Sequence, residues 1–182
     1  FGLVNKLSKK NQCYVISECQ KENFNSKIKK KKNLKDKYFL KVKKSEKKIF
    51  KNDFSFEKCK RLISINYGDL SKLNKSFFKE FLKSDLFIVF GSSYIKGWLA
   101  RFLIKKKTLN LHMGISPYYR GSGCNFWALY DKNPHFVGAT IHYLSMGLDD
   151  GDILFHVLPS KKYVNTFDFT MSAVNSAQKV LV

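Results

Sequence analysis

The sequence predicts an α/β fold: a doubly wound, mostly parallel sheet with helices on both faces. Apolar runs of strand length alternate with segments whose apolar residues recur at helical spacing, and this alternation is typical of the class. The run 85–91, DLFIVFG, is almost continuously apolar, as in strands covered on both faces. In such sheets ligands bind beyond the carboxyl ends of the strands, so function is expected in the turns that follow them.

The predicted elements follow one another with turn residues between them. Strands are predicted at 12–19, 61–68, 85–91, 108–113, 138–144 and 153–158, and helices at 1–10, 72–82, 94–104, 123–130 and 166–182. In the fourth of these helices we expect Trp127 to be a core anchor. In the last helix we expect Thr166 to be the N-cap, followed by Asp168 in the first turn.

The chain of 182 residues suits one domain, and 44% hydrophobic with 15% aromatic residues is enough for a packed core. No window approaches the roughly 18–20 apolar residues that span a bilayer, and no apolar leader with a cleavage site is evident. The chain opens on Phe1 within what reads as a helix and ends within another. We therefore expect a single domain over 1–182 that is truncated at both ends.

The net charge of +20 is carried by lysine, since only three of the 34 basic residues are arginine. Nucleic-acid and phosphate sites usually use arginine forks as well. We favour an AT-rich coding bias over a dedicated polyanion site, although the field attracts anionic ligands. The most polar stretch, 21–60, contains the four-lysine run 29–32. We interpret this stretch as a charged insertion, either helix or loop, rather than a binding arm.

The four cysteines form no CxxC pair and no cluster with histidine at zinc spacing, so we expect no metal site. Cys13 and Cys19 flank a predicted strand, where we expect them to pack as small hydrophobes. This cysteine usage is typical of a reducing compartment, and we expect a cytoplasmic protein.

The polar residues that suit chemistry concentrate between 108 and 152. Asn110 and His112 are two apart in a predicted strand, so their side chains leave the same face of the sheet. Asp149 and Asp150 follow the strand at 138–144 in a glycine-flanked loop. Asn, His and Asp at two neighbouring strand ends would make a proton-transfer site.

Each of these residues also has a structural interpretation, because Asn and Asp form turns and a histidine at a strand end is commonly a hydrogen-bonding group. His135 and His156 are assigned to the surface or core. His142 shares a strand face with Thr140 and Leu144 and is only an outside candidate. The turn Gly-Ser-Ser at 91–93 is too short a signal to predict a phosphate site.

Three segments, in order, resemble the folate-dependent formyltransferase family: NLHMGISPYYRG at 110–121, GATIH at 138–142 and GLDDGDI at 147–153. The family includes methionyl-tRNA formyltransferase, glycinamide ribonucleotide formyltransferase, amino-sugar formyltransferases and formyltetrahydrofolate deformylase. The resemblance is strong over roughly 85–158 and weak before that. It implies a Rossmann-like catalytic domain whose first strand and glycine-containing loop lie upstream of Phe1.

The resemblance also implies a role for each matching position. The catalytic Asn, His and Asp of the family fall on Asn110, His112 and Asp149. The loops 91–95 and 144–149 resemble the two walls of the folate pocket. The residues expected to contact the cofactor are therefore Gly91, Ser92, Tyr94, Ile95, Leu144 and Leu148. Those expected on the acceptor side are Ser116 and Arg120, although Arg120 can equally brace its loop.

The implied reaction moves a formyl group from 10-formyltetrahydrofolate to a primary amine, without a metal or a covalent intermediate. Asn110 would donate a hydrogen bond to the developing oxyanion, which is worth about 3–4 kcal/mol when preorganised. His112 would donate to the same oxygen or shuttle a proton. Asp149 would raise the basicity of the imidazole or hold a relay water.

The acceptor is left open, because Met-Gly-Ile-Ser-Pro at 113–117 replaces the Pro-Ser-Leu-Leu-Pro of many relatives. We favour a small-molecule amine, such as a nucleotide-linked amino sugar, over methionyl-tRNA, whose enzymes usually carry a further C-terminal domain. Hydrolytic deformylation, with water as the acceptor, is a further alternative. A catalytically inactive, lysine-rich nucleic-acid-binding protein is the non-enzymatic one. We expect no membrane partner.

Overall fold

The computed structural model describes residues 2–19, 33–51, 59–160 and 165–182. Within these ranges the chain forms six strands and five α-helices, which confirms the predicted α/β class. The strands are β1 (Tyr14–Cys19), β2 (Arg61–Asn66), β3 (Ile88–Phe90), β4 (Leu109–His112), β5 (Ala139–Tyr143) and β6 (Ile153–Val157). The helices are α1 (Gly2–Leu7), α2 (Leu34–Phe50), α3 (Gly97–Lys105), α4 (Cys124–Tyr130) and α5 (Thr166–Val180). No helix in the described ranges has the length and apolar content needed to cross a bilayer.

The strands form two sheets. β1 and β2 pair in parallel, and the second sheet has the order β3-β4-β5-β6. β3 and β4 are parallel because α3 carries the chain back between them, whereas β5 and β6 are antiparallel neighbours joined by the loop 144–152. β4 and β5 are also antiparallel. The predicted parallel order therefore holds for the pairs β1–β2 and β3–β4, whereas the pairs β4–β5 and β5–β6 make the four-stranded sheet a mixed one.

Helices cover both faces of the four-stranded sheet, as predicted. Successive residues of β3 point to opposite sides, so Ile88 packs into the apolar cluster of α1 and α5, and Val89 into that of α3. Leu111 and Ile141 continue the first cluster across β4 and β5. The even-numbered positions of β4, which carry its polar residues, consequently face the α3 side of the sheet.

Part of the lysine-rich stretch 21–60 is the helix α2, which packs on α5. Ser45 Oγ and Lys48 Nζ each donate a hydrogen bond to the carboxylate of Asp168 at 2.5 Å. This helix is therefore attached to the fold through a buried carboxylate. The four-lysine run 29–32 lies outside the described residues, and the interpretation of the stretch as an insertion stays a prediction.

The two longest helices begin at asparagine caps. Asn33 Oδ1 accepts from the backbone N–H of Asp36 at 2.8 Å, and Asn165 Oδ1 accepts from that of Phe167 at 2.8 Å. The predicted cap, Thr166, is instead the first residue of α5. The prediction was wrong by one residue because a carboxamide oxygen already satisfies the free N–H groups of the first turn.

The helix predicted over 72–82 is wrong. The segment has 3-10 turns at Leu70–Lys72 and Phe81–Lys83, with turns between them. Asn74 Oδ1 accepts from the backbone N–H of Phe77 at 3.1 Å, a local hydrogen bond that competes with the helical pattern. Four of the five apolar residues of the segment still pack in the cluster of α3: Leu73, Phe77, Phe78 and Leu82. Their helical spacing therefore predicted burial correctly but the backbone conformation wrongly.

Two side chains predicted to be inside lie at the surface. Trp127 is 50% exposed on α4, because Cys124 and Ala128 occupy the buried side of this short helix. Cys19 is exposed at the end of β1, whereas Cys13 is partly buried. The predictions that Trp127 anchors the core and that Cys19 packs as a small hydrophobe were therefore wrong.

Candidate active site

Asn110 and His112 leave the same face of β4, as strand alternation predicts. Their register partners on β5 are His142 and Thr140. Asp149 belongs to the loop between β5 and β6, where its backbone adopts a left-handed conformation with φ 47°. This turn brings the loop back over the strands and places the Asp149 side chain beside β4.

The Asp149 carboxylate is the centre of the site. Its Oδ1 accepts a hydrogen bond from Asn110 Nδ2 at 2.9 Å, and its Oδ2 accepts one from the backbone N–H of Gly121 at 2.9 Å. Oδ2 also lies 3.2 Å from His112 Nδ1. The three residues that the sequence singled out are thus brought together around one carboxylate.

Both ring nitrogens of His112 face oxygen acceptors. Nε2 lies 2.9 Å from the carbonyl oxygen of Tyr119, and Nδ1 faces Asp149 at 3.2 Å. Because a carbonyl and a carboxylate only accept, the doubly protonated ring satisfies both contacts by donating on each side. The imidazole is buried, so its charge would lie beside a carboxylate and away from bulk water.

Gly114 provides the space for this ring. A Cβ at this position would lie 2.5 Å from His112 Nε2 and 2.6 Å from the Cβ of Cys124. Any other residue must therefore displace the imidazole or the start of α4. The orientation of His112 depends on the absence of a side chain two residues later.

A second histidine, His142, belongs to the site, although the sequence indicated it only weakly. Its Nδ1 lies 2.8 Å from the carbonyl oxygen of Tyr143, so Nδ1 carries the proton in the neutral ring. The unprotonated Nε2 accepts from Asn110 Nδ2 at 3.1 Å and is 3.7 Å from Asp149 Oδ1. Alternation along β5 gives its face, but its contact with Asn110 requires the register between two strands, which the sequence does not reveal.

Both amide hydrogens of Asn110 are engaged, one by Asp149 Oδ1 and one by His142 Nε2. The carboxylate fixes the orientation of the carboxamide, since only Nδ2 can donate to it. The neutral imidazole is a weaker acceptor than an oxyanion would be. Asn110 therefore holds an N–H group that an oxyanion could attract away from His142.

The neighbours of Asp149 keep its carboxyl group ionised. Burial alone would raise the pKa of Asp149, but the neighbouring His142 ring, the hydrogen bond from Gly121 and the electrostatic attraction of His112 outweigh burial and hold this pKa below its usual value. His142 Nε2 lies 3.7 Å from Asp149 Oδ1, which is beyond hydrogen-bond distance. The ionised carboxylate can therefore stabilise positive charge on His112.

Cys124 lies close to the site, where its surroundings favour the neutral thiol. Burial, together with the negative charge of Asp149, raises the pKa of its thiol to about 11. The Sγ atom lies 3.4 Å from the carbonyl oxygen of Gly121, to which the thiol donates. The side chain therefore stays a neutral thiol at physiological pH.

A cavity of about 520 Å³ opens beside these side chains, a size typical of small-molecule sites. Asn110, His112, His142 and Asp149 all line it. So do all six residues expected on the cofactor side: Gly91, Ser92, Tyr94, Ile95, Leu144 and Leu148. The two walls meet where the Tyr94 hydroxyl donates to the carbonyl oxygen of Met146. In the described part of the chain, no three histidine, cysteine or carboxylate side chains are grouped as a metal site.

The two residues expected on the acceptor side, Ser116 and Arg120, do not line this cavity. Ser116 is 1% exposed, its Oγ donates to the backbone carbonyl of Asp149 at 3.1 Å, and its N–H donates to Thr140 Oγ1 at 2.9 Å. Its side chain therefore braces the Asp149 loop, and its role on the acceptor side stays a prediction. Arg120 is exposed on the loop before Gly121.

The sequence profile of the formyl transferase family matches residues 7–166, which is most of the chain. The chain therefore belongs to the formyl transferase family, as its three ordered segments indicated. No protein of curated function matches the sequence.

Solved structures of formyltransferases share the fold. A phosphoribosylglycinamide formyltransferase from Anaplasma phagocytophilum is 18% identical, with a TM-score of 0.51 over 65% of this chain and 57% of that one. Glycinamide ribonucleotide transformylase 1 from Symbiobacterium toebii is 17% identical, with a TM-score of 0.52 over 68% and 60%. A 4-N formyltransferase from Francisella tularensis is 18% identical, with a TM-score of 0.58 over 99% and 60%. At these identities the likeness concerns the fold alone, and the chain spans about three fifths of the length of each of these proteins.

Proposed function

We propose that this protein moves a formyl group from 10-formyltetrahydrofolate to a primary amine, with Asn110, His112 and Asp149 as its catalytic residues. The observation that carries the proposal is the Asp149 carboxylate, hydrogen-bonded to Asn110 and next to His112 at the wall of a cavity of about 520 Å³. Membership of the formyl transferase family supports the reaction class.

The cavity walls suit the flat heteroaromatic ring of a folate. Val89, Ile95 and Leu144 contribute apolar surface. The small residues of the two neighbouring loops also line the cavity, and we propose that their backbone groups bind the polar edge of the ring: Gly91, Ser92, Ser93, Ser145 and Gly147. Gly91, with φ 63°, adds no side chain between its backbone and the cavity. These residues would hold the donor, which supplies a formyl group on a nitrogen that can leave.

Asn110 and His112 are suited to stabilise the charge that develops on the formyl oxygen. Their Nδ2 and Nε2 hydrogens are directed at neutral acceptors, the His142 imidazole and the Tyr119 carbonyl. Hydrogen bonds to an ionised acceptor are roughly twice as strong as bonds between neutral groups. These donors therefore strengthen their interactions only as negative charge appears, which is the requirement for stabilising a transition state.

His112 is the group suited to move a proton. The amine loses a proton as the new C–N bond forms, and the departing nitrogen gains one as its own C–N bond breaks. The lowered pKa of Asp149 makes its carboxylate a weak base. We therefore assign Asp149 to orient Asn110 and to stabilise positive charge on His112, and we assign the proton transfer to the imidazole.

The acceptor that we favour is a small amine linked to a nucleotide. Phe126, Trp127 and Tyr130 form an exposed aromatic surface on α4, with ring centroids 5.2–6.2 Å apart. Trp127 Nε1 lies 3.6 Å from where a Cβ of Gly123 would stand, and Gly123 lines the cavity. Exposed rings of this kind stack on nucleobases. Methionyl-tRNA and hydrolysis by water stay the alternatives, and comparing acceptors separates them.

Calorimetric titration with 5-formyltetrahydrofolate, a stable mimic of the donor, tests the folate site. We expect saturable binding that survives raised salt, because no lysine or arginine is among the described residues that line the cavity. Leu148→Asp, in the cavity wall, should abolish binding, whereas Leu158→Asp should not, since Leu158 is also exposed but lies outside the wall. A folded wild-type protein that does not bind contradicts the proposal.

A further inference from the structure

We infer that Glu18, which lies outside the cavity, is a positioning residue for the cavity wall 91–95, so that donor binding depends on it. The inference rests on the proposed folate site. Glu18 lies near the end of β1, in the two-stranded sheet, and neither the sequence pattern nor the family resemblance assigns it a role.

The Glu18 carboxylate accepts four hydrogen bonds from two separate loops. Its Oε1 accepts from the backbone N–H groups of Gly68 at 3.0 Å and Leu70 at 3.4 Å, and from Ser93 Oγ at 2.8 Å. Its Oε2 accepts from the backbone N–H of Ser93 at 2.6 Å. Ser93 is thus held through both its main chain and its side chain, and the carboxylate joins the turn after β2 to the loop after β3.

Ser93 is the buried member of the wall. It lies in the middle of the loop 91–95, between Gly91 and Ile95, and all three line the cavity. The loop has no helical or strand conformation of its own, and Gly91 begins it with a left-handed backbone. Since repeating backbone hydrogen bonds do not fix such a loop, the position of its centre is set by the group that accepts from Ser93.

A carboxylate suits this position better than its uncharged isostere. All four contacts come from donors, and an ionised carboxylate has acceptor sites for all of them. A glutamine would turn its NH₂ group toward one of the two sets of donors. The loop would then move away from Glu18 on the cavity side, while Asn110, His112 and Asp149 keep contacts that do not involve the loop.

Glu18→Gln, with Glu80→Gln as the matched control, tests the inference. Glu80 makes an exposed ion pair with Arg61 and does not line the cavity. We expect Glu18→Gln to weaken 5-formyltetrahydrofolate binding about tenfold, the size of one charge-assisted hydrogen bond, and to leave kcat at saturating donor within about twofold. Ser93→Ala, which deletes one of the four bonds, should weaken binding about threefold. Glu80→Gln should change neither quantity.

Two further measurements distinguish failure of the positioning role of Glu18 from failure of the proposed folate site. Amide hydrogen exchange at Ser93 and Gly68 should accelerate in Glu18→Gln and stay unchanged in Glu80→Gln, whatever the ligand is. A Glu18→Gln protein with a lower melting temperature but wild-type folate affinity would make Glu18 purely structural and overturn the inference. If the wild type itself binds no folate, the proposed function fails, and unchanged exchange at Ser93 would then overturn the positioning role separately.

Discussion

Asp149→Asn changes the centre of the site by one charge and almost no volume. In the wild type the carboxylate accepts from Asn110 and Gly121, each at 2.9 Å, and faces His112 at 3.2 Å. The NH₂ group of an asparagine must point either at Asn110 or at the other two groups. At least one hydrogen bond is therefore replaced by a contact between two donors.

The expected loss falls on the chemical step. Each charge-assisted hydrogen bond is worth about 1.5–3 kcal/mol, and the substitution releases the carboxamide and removes the charge opposite the imidazole. We expect kcat to fall by about 10²–10⁴, the range typical of general acid–base and oxyanion contacts. The KM for the donor should change by less than about threefold, because the cavity walls at 91–95 and 144–148 are untouched.

Single-turnover measurement of tetrahydrofolate release is the assay, with Asp150→Asn as the matched control. Asp150 is the neighbouring carboxylate, is exposed, and hydrogen-bonds to Ser145 without lining the cavity. The control should keep nearly full activity. A folded Asp149→Asn protein whose rate stays within about tenfold of the control would refute the role that we assign to the carboxylate.

Two further substitutions test the surroundings of the site. Gly114→Ala places a Cβ 2.5 Å from His112 Nε2, so we expect kcat to fall about a hundredfold with cooperative unfolding retained; wild-type activity would show that the ring orientation is not critical. Asp168→Asn should lower the free energy of unfolding by about 1–2 kcal/mol at pH 7, because Ser45 and Lys48 donate to this carboxylate. Since these hydrogen bonds lower the pKa of Asp168, its stabilisation is present above the ordinary aspartate pKa of about 4 and fades as pH falls below it. Urea unfolding at pH 7 and pH 3 should therefore show a difference that shrinks in acid, and an equal difference at both pH values would contradict this account.

Local patterns account for what the sequence predicted well. Asn110 and His112 are two residues apart, so their side chains share one face of the strand whatever the position of that strand in the sheet. The glycines around Asp149 likewise predict a turn without reference to the rest of the fold. The alternation of strands and helices likewise gives the α/β class. These inferences require no knowledge of which residues meet in space.

Features that depend on tertiary packing could not be predicted. His142 reaches Asn110 only through the register of β4 with β5, and Glu18 reaches Ser93 across 75 positions of the chain. Trp127 is a large aromatic residue of the kind that is often buried, yet smaller side chains occupy the buried side of its short helix. The Asn74 side chain likewise accepts a local backbone hydrogen bond that competes with helix formation, although the apolar spacing alone predicts a helix.

Formyl transfer itself tests the central claim most directly. The measurement is the initial rate of tetrahydrofolate formation from 10-formyltetrahydrofolate, with and without nucleotide-linked amines, together with mass spectrometry of the acceptor. Our account predicts release that depends on the amine, matches formylation of the acceptor and is lost in Asp149→Asn. Release that is the same without amine would indicate hydrolysis, and no release from a folded protein that binds the donor would contradict the account.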